Sequence, residues 1–286
     1  MGMKIQTIKE TRLQIENELK ELYPLPEISA ISNIIFKTID ESIKLHQIYD
    51  PETLLSENAS QRISLIINEL KKGRPIQYVI GHTYFLDFRI IVNETTLIPR
   101  PETEELVDLV LRENINFTGN IIDIGTGSGC IAIALAGMLR SASVCATDIS
   151  AEALKIAEQN ALINNVKVRF INDDILNPLN VKNIMPGIIV SNPPYVRNSE
   201  KVFMHRNVLE NEPGSALFVD DDDPLIFYNA ILRWAQKNLS TGGKIYFEIN
   251  EALGKEMKDL LKSFGYSDIH IIKDLNGKDR IAKGIK

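Results

Sequence analysis

Residues 120–134, Asn120-Ile121-Ile122-Asp123-Ile124-Gly125-Thr126-Gly127-Ser128-Gly129-Cys130-Ile131-Ala132-Ile133-Ala134, leave the chain few folds to choose from. A β-branched run reaches Ile124, glycines stand at 125, 127 and 129, and an apolar helical run begins at once. Glycine tolerates the positive φ angles and the close backbone approach to a ligand that such a turn needs. A second strand pattern, residues 143–147, ends at Asp148, about 20 residues on, where a nucleotide-type α/β sheet places the acid that hydrogen-bonds ribose hydroxyls. The glycine spacing is GxGxG, so the dinucleotide fingerprint is not met, and no Lys followed by Ser or Thr closes a triphosphate loop. The ligand class is therefore adenosine-like without a pyrophosphate.

The alternation of strand and helix continues. A helix is predicted over 151–164 and a strand over 166–171, followed by Asn172-Asp173-Asp174-Ile175. In this architecture the end of the third strand reaches the adenine, with an acid for its exocyclic amine and Ile175 for its ring face; a solvated turn is the equal alternative for the two aspartates. The fourth strand, residues 188–191, stops at Asn192-Pro193-Pro194-Tyr195. Neither proline has an N–H, so the ladder ends there, and both fix φ. The Asn oxygen and a backbone carbonyl are acceptors and a Tyr face suits a flat group, so this elbow fits a planar group with two N–H donors, an amide or an aromatic amine. A helix over 224–239, a strand over 244–249, a helix over 252–264 and two strands around Asn276-Gly277 follow. That last hairpin is expected to close the sheet with an antiparallel strand at one edge.

Ahead of the glycine loop, helical patterns over 4–23, 27–45 and 60–72 read as a small helical domain. Residues 74–92 are rich in aromatic and β-branched side chains and predict a bridging hairpin that turns near Leu86-Asp87. Ile98-Pro99-Arg100-Pro101-Glu102-Thr103-Glu104 then opens a helix with proline and acids in its first turn. The expected boundaries are a helical bundle at 1–73, a bridging segment at 74–97 and an α/β domain at 98–286.

A net charge of −6 speaks against a duplex-binding surface, which needs clustered Lys and Arg. Residues 1–10 carry no apolar leader-like run, and the most apolar window, 121–139, is broken by Asp123 and the glycines. Cys130 and Cys145 lack zinc or disulfide spacing and read as core residues with reduced thiols, which suggests a cytoplasmic address. The four histidines read as surface or packing residues, and no metal site is expected. Residues 196–223, with Arg206, Glu212 and Pro213, lack periodicity over a length that usually marks a functional loop; Asp220-Asp221-Asp222-Asp223 reads as a solvated turn rather than a cation site.

Taken together, these residues resemble class I S-adenosylmethionine-dependent methyltransferases, and more narrowly the protein glutamine N5-methyltransferases that modify peptide-chain release factors. Asp123-Ile124-Gly125-Thr126-Gly127-Ser128-Gly129 matches the family's cofactor loop, Asp148 its ribose acid and Asn192-Pro193-Pro194-Tyr195 its substrate motif. Pro75-Ile76-Gln77-Tyr78 with Gly81, and the 98–104 segment, match bridging elements that general methyltransferases lack. The chain departs from the family at Val219-Asp220-Asp221-Asp222-Asp223, where glycines are usual, and at Glu248-Ile249-Asn250, where the third residue is usually glycine.

The resemblance implies an α/β, Rossmann-like, seven-stranded class I methyltransferase domain with a mostly parallel sheet and an antiparallel edge strand, plus a small N-terminal helical domain and a bridging β-hairpin. It implies S-adenosylmethionine as cofactor, with S-adenosylhomocysteine as product. Asp123, Gly125, Thr126, Gly127, Ser128, Gly129, Asp148, Asp174, Ile175 and Asn192 would bind it, Asp123 through the amino end of its methionine part. Asn192, Pro193 and Tyr195 would be catalytic; together with Pro194 they would hold the substrate amide, Tyr195 by packing on its plane. The implied reaction methylates the glutamine side chain of the Gly-Gly-Gln motif in class-1 release factors. The partner is then a protein; the net charge argues against nucleic acid and the interrupted apolar window against a membrane, and with no exposed apolar helix face evident the enzyme is expected to be a monomer. The competing readings are an N6-adenine methyltransferase, whose substrate amine also presents two N–H donors on a flat ring, a small-molecule methyltransferase, and a non-catalytic cofactor-binding protein.

Overall fold

The computed structural model describes residues 6–39, 50–181 and 184–286. The chain divides into two compact units, residues 1–81 with 206–211 and residues 82–205 with 212–286.

In the first unit, α1 (Ile8–Leu19) starts at a capping box in which the Thr7 hydroxyl accepts from the Glu10 N–H and the Glu10 carboxylate accepts from the Thr7 N–H. Helix α2 (Leu25–Thr38) begins on Pro24 and Pro26; the pattern read through to 45 runs on into residues outside those described. Helix α3 (Glu57–Lys71) is capped by Ser56, and the short α4 (Ile76–Ile80) ends at Gly81 with φ +80°. The three- and four-residue steps of Ile15, Leu19, Ile28, Ile31, Ile35, Ile63, Ile67 and Leu70 bring these side chains into one buried core.

The second unit opens with the antiparallel hairpin of β1 (His82–Phe85) and β2 (Phe88–Ile91), which turns at Leu86-Asp87 with Phe85 opposite Phe88. Helix α5 (Pro101–Glu113), strand β3 (Asn120–Ile124), helix α6 (Cys130–Met138), strand β4 (Ser143–Asp148), helix α7 (Ala151–Ile163) and strands β5 (Val168–Asn172) and β6 (Ile188–Ser191) follow. The chain then runs through β7 (Val196–Arg197), α8 (Arg206–Asn211, part of the first unit), β8 (Phe218–Val219), α9 (Ile226–Asn238), β9 (Lys244–Glu248), α10 (Gly254–Ser263), β10 (Ser267–Lys273) and β11 (Asp279–Ile285). The hairpin is held to α7 by the fully buried Asn160, whose Oδ1 accepts from the Ile91 N–H at 2.7 Å and whose Nδ2 donates to the Ile91 carbonyl at 2.9 Å.

The main sheet has seven strands in the order β10-β11-β9-β6-β3-β4-β5. β5, β4, β3, β6 and β9 are parallel, and β11 is antiparallel to both its neighbours. The expected antiparallel strand is present, one place in from the edge. Its Ile281 and Ala282 are buried against β9, whereas β10 is largely exposed, so burial puts the more apolar arm of the hairpin inside and leaves β10 at the rim.

From β3 the chain winds outward through β4 and β5, and from β6 it winds the other way through β9. The reversal lies between β3 and β6, and open parallel sheets bind ligands at the carboxyl ends of the strands flanking such a point. The aperiodic 196–223 segment is tied down there by parallel pairing of β7 with β8. Asp220 and Asp221 cap its turn by accepting from Asn198 Nδ2 at 3.0 Å and from the Ser199 N–H at 3.1 Å.

Candidate active site

The loop after β3 is stitched to the end of β4. The N–H groups of Gly125 and Thr126 both donate to the Thr147 carbonyl at 2.9 Å, and the Gly127 N–H donates to Asp148 Oδ2 at 2.7 Å. The other Asp148 oxygen accepts from the Ser150 N–H at the start of α7. Burial raises the Asp148 carboxyl above the ordinary range, opposed by these backbone donors. At Gly125 and Gly127, with φ of +76° and +54°, a Cβ would meet no atom within 4 Å: it would project into open space.

That space is a cleft of about 480 Å3 at the carboxyl ends of β3, β4 and β6. Gly125, Thr126, Gly127, Ser128, Asp148, Asp174, Ile175, Asn192, Pro193 and Pro194 all line it. The companion acid Asp173 is used structurally: its carboxylate accepts from the N–H groups of Leu179, Asn180 and Val181 and folds the loop after β5.

Three of the expected site residues stand elsewhere. Asp123 is fully buried behind the loop, where its Oδ2 accepts from the Thr126 hydroxyl at 2.5 Å; among the described residues its Oδ1 has no hydrogen-bond partner. Burial pushes its carboxyl up to about 7, with the Thr126 hydrogen bond opposing and the Asp148 charge adding to the rise. Gly129, with φ +83°, is the N-cap of α6, and its missing Cβ leaves room for Ala157, which such a Cβ would meet at 3.0 Å. Tyr195 does not line the cleft. Its ring packs against the buried core that the sheet shares with α9 and α10, and its hydroxyl donates to Glu248 Oε1 at 2.9 Å.

The polar chain behind the elbow was not legible from motifs. Asn192 Nδ2 donates to Thr103 Oγ1 at 3.1 Å, and the Thr103 hydroxyl donates to Glu248 Oε2 at 2.7 Å. Thr103 is 3% exposed and Glu248 1%. Burial raises the Glu248 carboxyl, while its two hydroxyl donors pull it down. Asn250, one of the departures from the family pattern, donates through Nδ2 to the Tyr195 carbonyl at 3.2 Å and so holds the elbow from below. Arg100 and Glu212 meet at 2.5 Å, and Glu212 also accepts from the Ile98 N–H, which ties the 98–104 segment to the loop before β8.

Residues 103–217 match the family described as the methyltransferase small domain. The release factor glutamine methyltransferase of Flavobacterium psychrophilum is 43% identical over 280 residues, covering 96% of this chain and 98% of that protein. The protein of the same name from Bacteroides thetaiotaomicron is 43% identical over 267 residues, covering 93% and 96%. The chain belongs to the release factor glutamine methyltransferase family. Among solved structures, the 16S rRNA methyltransferase of T. thermophilus in complex with AdoMet and guanosine matches at a TM-score of 0.52 and 18% identity, covering 72% of this chain and 49% of that one. A methyltransferase from Pyrococcus furiosus matches at 0.50 and 20% identity, covering 81% and 99%. These two likenesses show the shared fold.

As a family member the chain is a methyltransferase whose cofactor is S-adenosylmethionine. The residues present fit that group on three counts. The loop at Gly125 and Gly127 is bare of side chains, so a ligand can lie against its backbone; Asp148 presents a carboxylate to the same cleft; and Asp123, buried behind the loop, fixes the loop's shape through the Thr126 hydroxyl. No His or Lys lines the cleft among the described residues.

Proposed function

We propose that this methyltransferase modifies the side-chain amide nitrogen of the glutamine in the Gly-Gly-Gln motif of class-1 peptide-chain release factors. The observation that carries this reading is the state of Asn192. With Nδ2 turned onto Thr103, the oxygen is the amide atom left to the cleft, beside the stiff Pro193-Pro194 turn.

S-adenosylmethionine supplies, when bound, a methyl group made electrophilic by the attached sulfonium, and leaves as S-adenosylhomocysteine. Gly125, Thr126, Gly127, Ser128 and Asp148 would hold it, with Asp148 on the ribose hydroxyls and Asp174 and Ile175 at the adenine, while Asp123 behind the loop would orient that loop through Thr126. A glutamine nitrogen is a poor nucleophile because its lone pair is delocalised into its carbonyl. Asn192 Oδ1 and the Pro193 carbonyl, both acceptors, take its two N–H groups and fix the nitrogen with its lone pair toward the methyl. Positioning of this kind can supply roughly 7 to 11 kcal/mol of a barrier reduction. No strong base is required, because the proton becomes acidic and is lost once the nitrogen carries the new bond. Tyr195 serves by anchoring the elbow through Glu248 rather than by covering the amide plane.

The helical unit is the release-factor-engaging part in this reading, the enzyme acts as a monomer, and its address is the cytoplasm. Among the described residues no helix is long and apolar enough to cross a membrane. The test is transfer of labelled methyl to a purified release factor, beside its Gln→Ala variant and a DNA control. Label on the glutamine protein alone supports the proposal; label on DNA instead would promote the adenine reading.

A further inference from the structure

An asparagine amide is nearly symmetric in shape, so the Asn192 pocket must choose which end faces the substrate. With the nitrogen outward, the site would present donors to a glutamine nitrogen that itself carries donors, and the acceptor would be lost. We propose that Thr103 and Glu248 are positioning residues that set the polarity of the Asn192 amide, so that its oxygen faces the substrate. This rests on the glutamine reading of the site.

The three residues come from three separate elements: Thr103 from the first turn of α5, Asn192 from the end of β6, and Glu248 from the end of β9. A carboxylate only accepts, and Glu248 takes the Tyr195 hydroxyl on Oε1 and the Thr103 hydroxyl on Oε2. Thr103 has a single O–H, and once that proton is committed to Glu248 its oxygen can only accept. What it accepts is an N–H of Asn192 at 3.1 Å. The direction of each hydrogen bond therefore follows from the one before it, beginning at Glu248, both of whose carboxyl oxygens accept a hydroxyl proton. The Tyr228 hydroxyl, at 2.8 Å from the Glu248 carbonyl, fixes the backbone from which the relay starts. Burial of Thr103 and Glu248 keeps water from substituting for either partner.

Each substitution has a distinct consequence. Thr103→Val keeps the shape and removes the acceptor, so the Asn192 amide loses its reason to point one way. Thr103→Ser restores the hydroxyl. Glu248→Gln turns an acceptor-only group into one that can donate to Thr103, which frees the threonine proton for the Asn192 oxygen and favours the inverted amide.

The test is steady-state methyl transfer to an intact release factor by wild type, Thr103→Val, Thr103→Ser and Glu248→Gln, with cofactor affinity by calorimetry and melting temperature for each. Wild-type turnover comes first: if none is seen on the glutamine substrate, the proposed function fails, and the relay with it. With wild type active, Thr103→Val is expected to lower kcat about a hundredfold, the size of effect that a misplaced reactant produces. KM for the release factor and cofactor affinity should stay within about threefold, and Thr103→Ser should recover kcat to within about threefold of wild type. Glu248→Gln should also lose kcat rather than KM; should it fail to fold, the two threonine variants decide. A Thr103→Val enzyme with wild-type kcat, or a Thr103→Ser enzyme as slow as Thr103→Val at an unchanged melting temperature, overturns the relay and leaves the glutamine assignment standing.

Discussion

Asn192 is asked for one acceptor oxygen beside the Pro193-Pro194 turn. Asn192→Ala should therefore abolish methyl transfer while the cofactor dissociation constant, read by calorimetry, moves by less than about threefold; a large loss of cofactor binding with normal turnover would contradict the assignment. Asp123 makes a different demand, on proton balance. Its carboxyl sits at about 7 because burial outweighs the Thr126 hydrogen bond, so between about pH 4 and 7 the folded protein holds a proton that the unfolded chain gives up. The neutral carboxyl's contribution is complete below about pH 4 and is lost as the pH rises through 7. Removing the charge with Asp123→Asn should then stabilise the cofactor-free protein more at pH 8 than at pH 5, by on the order of 1 to 4 kcal/mol. Melting temperatures of the two proteins across that range check it, and a constant difference would mean that the buried carboxyl does not titrate there.

At the scale of elements, the two ends of the glycine loop should fail in different ways. Gly129 has φ +83° and its Cβ would press on Ala157, so Gly129→Ala should cost stability, about 1 to 3 kcal/mol in denaturant unfolding. Gly127→Ala shares the positive-φ strain but meets no protein atom, and its methyl enters the cleft, so besides a smaller loss of stability it should lower cofactor affinity. That loop could be read from the chain because its demands are local: a β-branched strand, glycines at the turn and a helix beginning at once all lie within fifteen consecutive residues, 120–134. The elbow was legible for the same reason, since two prolines stop a ladder wherever they stand. The support behind it was not. Thr103 and Glu248 are 145 positions apart and meet only because the strand order sets β9 beside β6 and α5 packs on β9. The direction of Tyr195 is likewise a tertiary outcome, decided by the buried Glu248 acceptor rather than by the Pro-Pro-Tyr sequence. The inward place of β11 depended on comparing the burial of two hairpin arms, which strand periodicity alone does not rank.

On the scale of the whole molecule, the residues lining the cleft all come from the 82–205 and 212–286 unit, and the helical unit has a hydrophobic core of its own. With the cleft lining drawn from one unit, the contribution of the helices under the proposed function is binding energy from parts of the substrate remote from the glutamine. Such energy is unavailable to a short peptide. An intact release factor and a peptide of about ten residues around Gly-Gly-Gln should both be methylated, because both can place an amide on Asn192. Their kcat/KM should differ by at least about a hundredfold in favour of the protein, equivalent to roughly 3 kcal/mol of remote contact. If those contacts only hold the substrate, the difference falls in KM; if they also drive the glutamine into the elbow, kcat falls as well for the peptide. Equal kcat/KM for the two substrates would remove the helical unit from recognition and place all specificity at the cleft. Exposed substitutions such as Leu13→Asp and Leu65→Asp, at side chains 53% and 65% exposed in that unit, then separate the cases: a rise in KM for the protein with the peptide unaffected locates the remote contact on the helices.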